Sequence, residues 1–185
     1  MSIVRAGEIA VTPWKNGMGR TRELAIHPAG ADLSSFSWRV SVAEVDSAAP
    51  FSAFPGVDRQ IALLEGAGFV MRLADGREHR LDEPYAPFAF AGEAAVDVTL
   101  LGGATRDFNL MLRRGAAEGR IEAWREGTHG LAGIALVYAV RGEIATPEGD
   151  LRPGDVWHVA PAAQETLALH GDAIALAVRL QPARR

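Results

Sequence analysis

The 185-residue sequence contains no cysteine, which excludes a disulfide framework, thiol catalysis and cysteine-ligated zinc or iron–sulfur centres together. It has no apolar run near the roughly 18 residues that a membrane-spanning helix needs. Its start, Met1-Ser2-Ile3-Val4-Arg5-Ala6-Gly7-Glu8, lacks the basic and apolar blocks of a signal peptide, so cytoplasmic residence without a membrane partner is the expectation. Basic clusters are missing too. With 19 Lys and Arg against 23 Asp and Glu, the net charge is −4, which argues against nucleic acid as a partner. The pairs Arg113-Arg114 and Arg184-Arg185 are too short to change that. Helix signals are also sparse: glycines interrupt Gly115 to Glu126, and the segment reads as a linker entering a strand.

What the chain does have is alternation. Hydrophobic residues make up 48% of it, enough for a real core in one large or two small domains. In Phe36-Ser37-Trp38-Arg39-Val40-Ser41-Val42-Ala43 one face carries Phe, Trp, Val and Val, and the other Ser, Arg, Ser and Ala, the period of a half-buried strand. Similar segments cover 23–27, 59–64, 69–73, 96–101, 107–112, 134–140, 156–159, 165–169 and 173–180. Twenty glycines and ten prolines punctuate them. The expected outcome is an all-β sandwich or barrel.

The chain also repeats itself. Ile61-Ala62-Leu63-Leu64-Glu65-Gly66 is echoed by Val137-Tyr138-Ala139-Val140-Arg141-Gly142, Arg80 to Pro84 by Asp150 to Asp155, and Leu110-Met111-Leu112-Arg113 by Leu176-Ala177-Val178-Arg179. This predicts two tandem jelly rolls, residues 1–114 and 115–185. A strand, a glycine turn and then Leu151-Arg152-Pro153-Gly154-Asp155 before a further apolar strand resembles the cupin superfamily, and hence a bicupin. Cupins hold a divalent metal with histidines and a glutamate around that turn. Here the corresponding places hold His129, Leu131, Ala135 and Glu165 in the second half, and Ala53, Pro55 and Arg59 in the first. No metal or other cofactor is expected.

A guanidinium where cupins place a metal-binding carboxylate leaves a cavity that favours an anion, because Arg pairs bidentately with carboxylates. The plainer alternative pairs Arg59 with Asp58 at the surface. Asp107, Asn109 and Met111 share one face of their strand. Aligning on Arg113 and Arg179 sets Asp107 and Asn109 opposite Ala173 and Ala175, so the polar pair occurs only once. Inward Asp and Asn need partners, which a ligand, Lys15 or an Arg could supply; in the purely structural alternative Asp107 holds a turn and Asn109 bonds a backbone group. In Trp14-Lys15-Asn16-Gly17-Met18-Gly19 the glycines permit positive φ and close approach. The same letters would also make a hairpin turn.

The motifs Pro13-Trp14-Lys15-Asn16-Gly17-x-Gly19-x-Thr21-x-Glu23, Trp38 to Ala43, Pro50-Phe51-Ser52-x-Phe54-Pro55-Gly56-x-Asp58-Arg59, Phe90-x-Gly92 and Asp107-Phe108-Asn109-x-Met111-x-Arg113-Arg114 together resemble the HutD/Ves family. They thin out after Arg114, and Met18 stands where the family pattern usually has a third glycine. The resemblance implies a bicupin associated with bacterial histidine utilisation. Its implied role is to bind a small pathway molecule, such as urocanate or a formyl- or formate-like carboxylate, and to limit pathway expression, with no established catalysis. The positions matching its motifs give Trp14, Lys15, Asn16, Arg39, Phe54, Arg59, Asp107 and Asn109 as pocket residues. Arg39 alternates with Trp38, so only one of them faces a cavity, and sequence leaves open which.

Three functional readings follow. In the first, a non-catalytic protein binds a small planar carboxylate: Arg59 or Lys15 neutralises it, Asn16 and Asn109 orient it, and Trp14 and Phe54 wall it. In the second, the protein is a cupin enzyme, either metal-free with Asp107 and Lys15 as an acid–base pair or using His129, His158 and His170. In the third, it is chiefly an interaction module that forms a homodimer through a sheet edge.

Overall fold

The computed structural model describes residues 2–182, so Arg184 and Arg185 lie outside the described residues. The fold is all-β. Strand β1 (Ser2–Val4) precedes a 3₁₀ turn at Ala6–Glu8. Then come β2 (Val11–Pro13), β3 (Gly19–His27), β4 (Trp38–Val45), β5 (Val57–Glu65), β6 (Phe69–Leu73), β7 (Glu78–Leu81), β8 (Phe88–Ala91), β9 (Val96–Leu100) and β10 (Thr105–Arg113). They are followed by β11 (Ala117–Trp124), β12 (Gly127–Gly130), β13 (Ile134–Arg141), β14 (Ile144–Thr146), β15 (Gly149–Leu151), β16 (Val156–His158), β17 (Thr166–Leu169) and β18 (Ile174–Pro182). No helix among the described residues is long and apolar enough to cross a membrane.

The chain forms two tandem cupin-like jelly-roll units, one of residues 10–117 and the other of residues 2–9 with 118–182. The amino terminus thus differs from the 1–114 division drawn from sequence. Strand β1 pairs antiparallel with β16, and Arg5 and the Ala6 backbone N–H both bond the Asp155 carboxylate at 2.7 and 2.9 Å. The segment 115–126 supplies β11, in keeping with its reading as a linker entering a strand.

In the earlier unit a six-stranded sheet runs β2-β3-β4-β10-β5-β8, and a second sheet runs β7-β6-β9. Ile61, Leu63, Phe69, Met71, Val96 and Phe90 form an apolar cluster drawn from both. Because side chains alternate, the antiparallel register of β10 with β4 and β5 places Asp107, Asn109 and Met111 level with Ala43, Ser41 and Arg39 on one side, and with Leu63, Ile61 and Arg59 on the other. These residues share the inward face. Phe108 and Leu110 on the other face are fully buried too, which is why β10 reads as a nearly continuous apolar run.

In the later unit the main sheet runs β1-β16-β13-β18-β11, beside the two-stranded pairs β12-β17 and β14-β15. Its interior is packed with Trp124, Trp157, Leu131, Val137, Leu167 and the alanines of β18.

Candidate functional site

The inward face of the six-stranded sheet opens on a cavity of about 990 Å³, at the upper end of the range for small-molecule sites. All eight residues singled out from sequence line it: Trp14, Lys15, Asn16, Arg39, Phe54, Arg59, Asp107 and Asn109. They reach it by different routes.

Arg59 stands on β5 and is only 8% exposed. It does not pair with Asp58, which instead meets Arg114 at 2.7 Å. The Arg59 guanidinium lies 4.9, 5.2 and 5.6 Å from the ring centres of Phe90, Phe51 and Phe54. Three aromatic faces offer a desolvated cation some cation–π compensation. Its hydrogen bonds are few: Nη1 to the Ser52 carbonyl oxygen at 3.4 Å, and Nη2 to Asn109 Oδ1 at 3.2 Å. Its Nε has no hydrogen-bond partner among the described residues. Burial lowers its pKa to about 10, against the opposing influence of Asp107, so the side chain remains a cation at neutral pH.

Asn109 joins that cation to an acid. Its Oδ1 accepts from Arg59 and its Nδ2 donates to Asp107 Oδ1. A guanidinium only donates and a carboxylate only accepts when ionised, so the amide has one satisfactory orientation. Asp107 is 1% exposed, and its Oδ2 has no hydrogen-bond partner among the described residues. Burial raises its pKa to about 7, with the Asn109 bond and the Arg59 charge holding it down in part.

The structure resolves the choice between Trp38 and Arg39. Arg39 faces the cavity, while Trp38 stacks on His27 with ring centres 5.7 Å apart. Arg39 is already paired, through Nε to Glu23 at 2.7 Å and through Nη1 to Ser41 Oγ at 3.3 Å. A register shift between Glu23 and Ala25 lets β3 present Glu23 and then Ile26 to the same cavity. A bulge of this kind switches which alternate positions point inward.

The loop 14–18 combines both readings of its sequence. Trp14 Nε1 donates to Thr21 Oγ1 at 2.7 Å and the ring lines the cavity. Gly17 has φ of +71°. A Cβ on Gly19 would collide with the Glu44 carbonyl oxygen and lie 2.9 Å from the Trp14 ring, so glycine is what lets the tryptophan lie against the strand. Asn16 Oδ1 accepts from the Met18 backbone N–H at 3.1 Å, which spends one of its groups on the turn. Lys15 is exposed. Thr21, Glu23, Phe51, Ser52 and Phe90 are the supporting residues that site reasoning from sequence did not single out; all five stand as named positions in the motifs quoted above, but their roles depend on cross-strand neighbours.

Among the described residues no group of three or more His, Asp or Glu is placed to hold a metal ion. His129 stacks on Trp124 with ring centres 4.7 Å apart and shares a hydrogen bond with the Arg125 carbonyl oxygen at 2.8 Å. His158 is part of the β16 ladder.

The HutD family profile matches residues 6–178. An uncharacterised 21.2 kDa protein in the hutC 3′ region of Pseudomonas putida is 37% identical over 147 residues, covering 78% of this chain and 76% of that one. The protein Ves of Cronobacter sakazakii is 37% identical over 149 residues, covering 76% and 80%. Among solved structures, HutD from Pseudomonas fluorescens SBW25, obtained in a formate condition, superposes with a TM-score of 0.84 at 31% identity, covering 99% of each chain.

Proposed function

The chain belongs to the HutD family, and from that premise we propose that its earlier unit is a non-catalytic binding site for a small carboxylate, acting in the regulation of histidine utilisation in the cytoplasm. The observation that carries this reading is Arg59: a buried cation in an aromatic box, lining a cavity, with one amide and one long carbonyl contact and no ion pair among the described residues. Buried charges are ordinarily paired. Asp107 reaches Arg59 only across Asn109, so an arriving carboxylate supplies a direct counter-charge and two acceptors for a planar fork of donors.

Around that anchor, Asn109 orients the ligand, Phe54 and Trp14 give flat walls, and Lys15 and Asn16 stand at the exposed loop. Urocanate and formyl- or formate-like carboxylates fit this chemistry, and the formate condition of the P. fluorescens relative favours the latter. Micromolar binding needs about −8 kcal/mol, within reach of two charge-assisted bonds at roughly 1.5–3 kcal/mol each and one buried ring face.

Titration calorimetry with formate, urocanate, N-formylglutamate and the uncharged amide of urocanate tests the reading. At least one carboxylate is expected to bind wild-type protein and the amide to bind at least about 100-fold more weakly. Arg59→Met should fold and lose the carboxylate. Equal binding by wild type and Arg59→Met, or no binding by any carboxylate, overturns it.

A catalytic reading has one observation in its favour, the elevated pKa of Asp107 beside the cavity, which suits a general acid or base. Turnover of a formylated substrate that Asp107→Asn abolishes would support it over simple binding.

A further inference from the structure

Resting on the reading of the cavity as a carboxylate site, we propose that the anion enters beside Arg59 together with a proton, and that this proton settles on Asp107. The geometry that points there is the chain Asp107–Asn109–Arg59, in which one amide separates a buried acid from a buried cation. While the cavity is empty, an ionised Asp107 is the negative charge that balances Arg59 across Asn109. A ligand carboxylate at the guanidinium takes over that role at closer range. Two anions would then share one cation in a poorly solvated space, and the like charge favours protonation of the acid that has no cation of its own.

The other charged groups facing this face do not relieve the excess. Arg39 on β4 is held by Glu23 on β3 at 2.7 Å. Asp32 stays ionised, since the Ser34 and Ser35 hydroxyls bonded to it draw its pKa down to about 2. Lys15 is exposed, where solvent screens it. Strand β8 contributes Phe88 and Phe90, and the β7-β6-β9 sheet contributes apolar side chains. The titratable group on that sheet's inward register is His79, which stacks on Phe88 and is kept neutral by burial. Asp107 is left as the group that yields. Its Oδ1 already accepts from Asn109, so the proton from solvent goes to Oδ2, and the ligand remains a carboxylate.

The direction with pH follows. Asp107 titrates near 7 in the empty protein, and the ligand raises that value further. Below about pH 7 the proton is already in place and affinity is flat. Above it each carboxylate bound takes up one proton, so affinity falls by about tenfold per pH unit until the raised value is passed. A site governed by Arg59 alone would hold its affinity across the same range.

Calorimetric titration of the full chain with sodium formate and with urocanate, at about pH 6.5, 7.5 and 8.5 in phosphate and in Tris, counts the protons through the difference in buffer ionisation heat. Near pH 8.5 wild type is expected to take up close to one proton per carboxylate and to bind roughly tenfold more weakly than at pH 7.5. Asp107→Asn is expected to show no proton uptake and an affinity independent of pH. If the variant fails to fold, the wild-type proton count decides alone. Wild-type binding with no buffer-dependent heat at pH 8.5 overturns this inference and leaves the carboxylate site standing. Failure of both anions to bind at every pH overturns the two together.

Discussion

The two units use one strand plan for opposite ends. In the earlier one, the inward face beside β10 carries Arg59, Asp107, Asn109 and Arg39 around a hollow. In the later one, β18 offers Ala175 and Ala177, both fully buried, to a core filled by Trp124 and Trp157. The ladders set the correspondence. Asn109 pairs with Ile61, and Ala177 pairs with Val137, the residue that echoes Ile61; Asp107 pairs with Leu63, and Ala175 pairs with its echo Ala139. Alignment on Arg113 and Arg179 sets the polar pair opposite Ala173 and Ala175 instead, two positions earlier. The correction keeps the same face, so the contrast between polar and apolar survives it. A jelly roll becomes a core or a vessel through about four side chains, because the backbone frame tolerates either filling provided each buried polar group finds a partner.

The sharpest way to break this contrast is to hollow the packed unit. Trp157→Ala removes a 1% exposed side chain and is expected to cost about 3–5 kcal/mol by chemical denaturation. A loss below about 1 kcal/mol would show that the later core is already loose.

Exchanging a single residue between the units should be asymmetric. Ala177→Asn puts an amide into an apolar core and is expected to cost roughly 2–3 kcal/mol. Asn109→Ala abandons Asp107 and Arg59 but opens onto a cavity that water can enter, so the expected cost is about 1 kcal/mol. Equal costs in the two denaturation curves would erase the distinction.

The smallest effect concerns the cavity wall. Thr21→Val removes the acceptor for Trp14 Nε1 and is expected to cost about 1 kcal/mol or less. It should also raise the red-edge mobility of that tryptophan in fluorescence anisotropy. An unchanged anisotropy would mean that packing against Gly19, rather than the hydrogen bond, holds the ring.

Much of this was legible in the chain. Strands β4, β5, β10, β13 and β18 are eight or nine residues long; β4 shows the period of two in its letters, and β10, β13 and β18 show as apolar runs bounded by turns. Strands β2, β14 and β15 span three residues each, too short for any period to show. The shared face of Asp107 and Asn109 follows from alternation, whereas the burial of Arg59 is only suggested by its place at the cupin carboxylate position, since pairing with Asp58 at the surface fits the same letters. The pairing of Arg39 with Glu23 did not follow, because it depends on the register shift in β3, which breaks the simple count of two. The three-ring surround of Arg59 likewise joins residues 51, 54 and 90, and proximity between separate strands and loops has no local signature. By residue type Lys15 and Arg59 suit the neutralising role equally. Only Arg59 is buried, a difference that depends on loop geometry and not on residue type.

The shift that lies between Arg106 and Asp107 where β10 meets β5 has a consequence for how this family can vary. Parity decides the chemistry of the hollow: sliding β10 by one residue would exchange Asp107 and Asn109 for Phe108 and Leu110, greasing the vessel and stranding two polar groups opposite. Length changes in the connection at 101–104 are therefore expected to survive evolution when they leave the strand in place or move it by even steps, and to be purged when they move it by odd ones.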